Sequence, residues 1–224
     1  MANRAYLYSL SNRPSTYADR PECLSGLSEW AYDVPFSYRV LMSGNPKLCA
    51  SLISDGFEDD APEDKTRLYA ISSEFELGIA RFKKFIEAVR PLAAETSKYL
   101  ASMLDETLAF FEGNNPRYLL LETTELDCMY DNDEAVLRGA VESEIEACRK
   151  AGAAVDLLPE DPKIAADTLK GASEKESNSP LGAFHGLLFN DNFDDAENDL
   201  PLGLYWTDVL FYQLRNKIEF EGGA

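Results

Sequence analysis

Apolar and polar positions alternate over residues 4 to 11, RAYLYSLS, with Tyr6, Tyr8 and Leu10 on one side and Leu7 on the other. This pattern predicts a strand buried on both faces. RLYAIS (67 to 72) and YLLLETTEL (118 to 126) predict a second strand and a third, central one. Between them the period lengthens: Phe75, Ile79, Phe82, Phe85, Ile86 and Val89 recur at helical spacing from 74 to 89. Pro91 is expected to break that helix, and 92 to 111 to form another that ends at Gly113-Asn114-Asn115-Pro116. Residues 133 to 151 carry the stripe Leu137, Val141, Ile145 and Cys148, with Asp133 and Glu134 suited to the positive end of a helix.

Shorter segments read less directly. Pro35 suits a first helical turn and Gly44-Asn45-Pro46 its end, with a further short helix from about 46 to 53. Another short helix falls near 162 to 169. At the C-terminus Trp206, Leu210, Leu214 and Ile218 recur at helical intervals, although aromatic and β-branched content leaves a strand open for the first few residues. The expected fold is α/β or α+β, with strands 4 to 11, 67 to 72 and 118 to 126 in one sheet covered by long amphipathic helices. It forms a single domain over 1 to 224, containing an acidic loop at 55 to 64 and a flexible segment at 171 to 180, GASEKESNSP.

Charge narrows the partners. The chain carries 40 acidic and 21 basic side chains, a net charge of -19. Residues 121 to 224 hold 23 of the acids and 8 of the bases, so most of the field belongs to the second half. Such a field repels nucleic-acid backbones and anionic membranes and attracts basic partners. No signal peptide or membrane span is recognisable, so a cytoplasmic protein is expected. Cys23, Cys49, Cys128 and Cys148 lack CxxC spacing and are read as reduced, mostly buried thiols.

Chemistry is sparse. His185 is the single histidine, so one residue would have to serve any Ser-His-Asp or Cys-His arrangement, and neither HExxH nor a glycine-rich phosphate loop is present. No catalytic residue, cofactor or metal site is therefore assigned. Asp131-Asn132-Asp133-Glu134 resembles the start of a calcium loop but lacks the following glycine and the closing glutamate, which favours a capped helix start. Carboxylates at or after the third strand keep a metal-dependent hydrolase open as an alternative, and an acidic adaptor is a second one.

Two acidic surfaces and one aromatic surface are candidates for protein binding. The segment NDNFDDAEND places Asp191, Asp194, Asp195, Glu197 and Asp199 around Phe193. There the carboxylates can imitate a phosphate backbone while the ring supplies contact area. Asp127, Asp131, Asp133 and Glu134 form the second acidic group, and Trp30, Tyr32 and Asp33 the rival aromatic surface.

The stretches NRAYLYS, SEWAYDVP (28 to 35), GNPKLC (44 to 49) and LGLYW resemble a family of uncharacterised cytoplasmic bacterial proteins, some encoded beside secreted antibacterial toxins. The resemblance covers the N-terminal third best and implies an immunity protein. Such a protein binds and neutralises a cognate toxin with a basic surface, as a type VI secretion nuclease effector would have. On this reading the chain is a binder and not an enzyme.

Overall fold

The computed structural model describes residues 3–57, 60, 65–96, 98–113, 115–189 and 200–223. Its centre is a five-stranded antiparallel sheet in the order β2-β1-β5-β4-β3. The strands are β1 (Arg4–Leu10), β2 (Leu24–Ala31), β3 (Lys47–Ala50), β4 (Tyr69–Glu74) and β5 (Tyr118–Glu122). The three expected strands are neighbours in this one sheet. β2 and β3 are additions at its two edges, and the antiparallel pairing makes the fold α+β.

Alternation along the strands sorts the side chains between two layers. Ala5, Leu7, Ile71, Leu119 and Leu121 face the main core, which is built with α1 (Phe36–Met42), α2 (Phe75–Thr96), α3 (Lys98–Gly113), α5 (Glu134–Asp156) and α6 (Pro162–Ser173). Tyr6, Tyr8, Leu10, Ala70 and Leu120 face the other way, where among the described residues no long helix lies, and are covered by Leu52, Leu210 and Leu214. The Tyr8 hydroxyl donates to the Tyr212 carbonyl at 2.8 Å, and the Tyr212 hydroxyl donates to the Ile53 carbonyl at 2.9 Å. The C-terminal segment is thereby fastened across the sheet.

Several expectations fail for identifiable reasons. The segment expected as a helix from 46 to 53 contains β3, because Lys47–Ala50 pairs in register with Tyr69–Ser72. α2 runs through Pro91. Burial of Val89, Leu92 and Ala93 on one face holds that helix together despite the lost backbone donor. The helical spacing of Trp206, Leu210 and Leu214 proves accidental: only α7 (Lys217–Glu221) is helical there. Trp206 packs with Phe82, Phe110 and Phe111 in the main core, whereas Leu210 and Leu214 bury against the other face. Ile218, the fourth member, is exposed. Gly171 to Ser173 of the segment expected to be flexible close α6. Cys148 is buried, but Cys23 is exposed. Among the described residues no helix is long and apolar enough to cross a membrane.

Candidate partner-binding surface

β5 ends at Glu122, and the chain turns at once into α4 (Thr124–Asp127). The Leu126 and Asp127 amides donate to the Thr123 carbonyl at 2.8 and 2.9 Å, and the Thr123 hydroxyl donates to Asp127 Oδ2 at 2.6 Å. Asp131 then closes the next turn on itself, accepting from the Asn132 and Asp133 amides at 2.7 and 2.9 Å. Asp133 is the N-cap of α5, accepting from the Ala135 and Val136 amides at 2.9 and 3.1 Å. The acidic run is thus a capped helix start, formed because short acidic side chains satisfy the free amides of a first turn.

The four carboxylates of this group have different fates. Glu134 Oε2 accepts from the Arg67 amide at 3.0 Å and Oε1 from the Tyr69 hydroxyl at 2.7 Å, which ties α5 to β4 and holds the carboxyl below its ordinary value. Asp127 is half-buried, and that burial pushes it up to about 6 against the pull of its bond from Thr123. Asp131 and Asp133 are exposed, and among the described residues neither is in an ion pair.

Between them the turn projects apolar side chains that sequence reasoning missed. Tyr130 is 85% exposed, and Met129 and Val136 are each 49% exposed. The signal was a Met-Tyr pair, between two acidic stretches, that belongs to neither neighbouring stripe. An aromatic anchor beside unpaired carboxylates is a composition suited to a basic protein surface.

The other candidates separate clearly. Asp191, Phe193, Asp194, Asp195, Glu197 and Asp199 lie outside the described residues. Trp30 is half-buried against the main core, and Asp33 accepts from the Val34 amide at 2.6 Å and lies 3.9 Å from Arg39. Only Tyr32 of that trio is free for contact: it is 66% exposed and holds a left-handed backbone, φ 66°. Beyond it, Tyr205, Val209 and Phe211 are exposed on the segment bonded along β2. There the Thr207 amide donates to the Leu27 carbonyl at 2.9 Å and the Phe211 amide to Glu29 at 2.6 Å.

Among the described residues no three His, Cys, Asp or Glu side chains converge as metal ligands. His185 is exposed after the 3-10 turn Pro180–Phe184. Glu122 is fully buried and its oxygens are occupied, accepting from Ser51 Oγ at 2.8 Å and the Leu52 amide at 2.6 Å.

Fold and surface together define a mixed helix-and-sheet protein whose most exposed described aromatic stands in an acidic turn. The chain belongs to a family characterised by a domain of unknown function, DUF7822, whose model matches residues 11–162. The match takes in β2 through the start of α6, and so both Tyr32 and the Tyr130 turn, but not the 191 to 199 segment. No curated protein and no solved structure matches the chain.

Proposed function

We propose that this protein acts in the cytoplasm as an immunity protein, neutralising a cognate antibacterial toxin with a basic surface by binding it. The observation that carries the reading is the turn after β5: Tyr130, 85% exposed, flanked by Asp131 and Asp133, in the half of the chain that holds 23 of its 40 acids. Carboxylates there would steer a cationic partner inward, and the ring and Met129 would hold it once water is expelled. A nuclease fits because its own cleft must be basic to bind a phosphate backbone.

The apolar strip along β2 supports a second arrangement of the same function, in which Tyr32, Tyr205, Val209 and Phe211 form the contact. The test is co-expression with the product of the neighbouring gene, followed by binding kinetics. Asp131→Asn with Asp133→Asn keeps the turn and the cap but removes charge, and should slow association and flatten its salt dependence. Tyr130→Ala should speed dissociation by about 30-fold, the size of a hot-spot contact. Loss of binding confined to Tyr32→Ala and Phe211→Ala would move the contact to the β2 strip. Absence of both binding and protection in the unmodified protein would refute the function.

A further inference from the structure

The two edges of the sheet are finished differently. The C-terminal segment is bonded along β2, whereas β3 borders a groove of about 640 Å³ whose opposite wall is the loop of residues 13–17 with Ser54 and Asp55. We propose that this groove binds a small anion through phosphate or carboxylate groups.

Its charge runs against that of the whole molecule. The chain has 21 bases to 40 acids, yet the described residues that line the groove include Arg13, Lys47 and Arg67 and only one acid, Asp55. That acid is already neutralised by Lys65 at 2.8 Å. Lys47 and Arg67 are exposed, and among the described residues neither side chain is in an ion pair. Glu134 accepts from the backbone amide of Arg67, not from its guanidinium. Arg13 is partly committed, 3.5 Å from Glu74 and 4.9 Å over the Tyr118 ring. Its buried Nε nevertheless lacks a hydrogen-bond partner among the described residues.

Concave shape and polar walls complete the case. The volume lies in the range of small-molecule sites, about 300–1,000 Å³. Thr16, Tyr17 and Ser72 are among the polar residues that line the groove. Glu122 lies behind the lining residue Ser51 with its oxygens bonded to Ser51 and Leu52. In a strongly negative molecule three cations gathered from positions 13, 47 and 67 offer an anion a local minimum that diffuse surface charge would not. The inference does not depend on the partner-binding reading, since the two surfaces share no residue.

Inorganic phosphate and citrate are the probes, titrated into the full chain by calorimetry with amide chemical shifts followed at Lys47, Cys49 and Ser72. Saturable shifts at those amides are expected, and the tighter of the two probes identifies the group recognised. Lys47→Glu combined with Arg67→Glu should weaken binding at least about 10-fold. A charge-matched control, Lys83→Glu with Lys163→Glu, should stay within about 2-fold, because those exposed helix positions are not among the groove's lining. All four side chains are exposed, and circular dichroism will verify that both variants fold. The proposal is overturned if neither probe gives saturable shifts below about 10 mM, or if the groove variant loses no more affinity than the control.

Discussion

Glu122 is a buried carboxyl group whose oxygens are all hydrogen-bonded, and its titration should be visible in the stability of the whole fold. It is fully buried at the end of β5. Burial pushes its carboxyl from an ordinary 4.5 up to about 7, against the bonds from Leu52, Ser51 and Thr124 and the attraction of Arg20, all of which favour the ion. A raised folded value means that the native state holds the proton more tightly than the unfolded chain does. The resulting stabilisation is complete below about 4.5 and is lost as pH rises through about 7. Each pH unit in that window is worth about 1.4 kcal/mol, so the whole effect is about 3 kcal/mol.

Glu122→Gln isolates the group. The amide oxygen can still accept from the Leu52 amide, and the new N–H groups face hydroxyls of Ser51 and Thr124 that can accept. Other acids raised by burial, Asp33, Asp127 and Glu144, titrate in both proteins and cancel in the difference. Urea unfolding of the two proteins should be compared at intervals from about pH 4 to about pH 8.5. The stability of the natural protein minus that of the variant should fall by about 3 kcal/mol across this range. A flat difference would refute the reasoning, since Glu122 would then titrate alike folded and unfolded. A difference that rises with pH would show that Arg20, which bonds the Leu52 carbonyl at 2.9 Å, outweighs burial.

Two further outcomes test the links between fold and surface. Gly203 has φ 67°, and a Cβ there would lie 2.2 Å from Pro35 Cβ, so Gly203→Ala should cost about 3 kcal/mol in chemical denaturation, through strain and overpacking together. A loss under about 1 kcal/mol would mean that the contact between the C-terminal segment and α1 is easily displaced. Tyr32 carries a left-handed backbone without being glycine, so Tyr32→Gly should raise the melting midpoint, by about 1 kcal/mol of stability. A gain in stability accompanied by weaker binding of the proposed partner would mark Tyr32 as retained for contact, and an unchanged midpoint would remove the strain argument.

What the sequence disclosed depended on whether a residue's role was local or distant. The stripes of α2, α3 and α5 and the alternation of β1 were readable because each records one face of one element. The start of α5 was readable for the same reason, since Asp133 bonds amides only two and three residues away. β3 was misread because four residues carry too little period to oppose a helix, and its identity comes from pairing with β4, whose residues lie far along the chain. The C-terminal stripe failed more instructively. Trp206 and Leu210 are four apart as in a helix, yet they serve opposite faces of the sheet, which a segment can do only by leaving helical geometry.

The same distinction governs the surfaces. Asp127, Asp131, Asp133 and Glu134 look equivalent as a run of acids, and only tertiary partners divide them. β4 takes Glu134, Thr123 and burial take Asp127, and solvent keeps Asp131 and Asp133. Tyr130 acquires significance only once its exposure in the folded turn is seen. The groove cations were out of reach altogether, because Arg13, Lys47 and Arg67 stand in a loop, an edge strand and a strand approach that meet only in the folded chain. Net charge therefore misleads here when read as a uniform property. A molecule with a formal charge of -19 offers carboxylates and an aromatic on one surface and a cationic groove on another. The chemistry of each is set by which side chains folding has already paired.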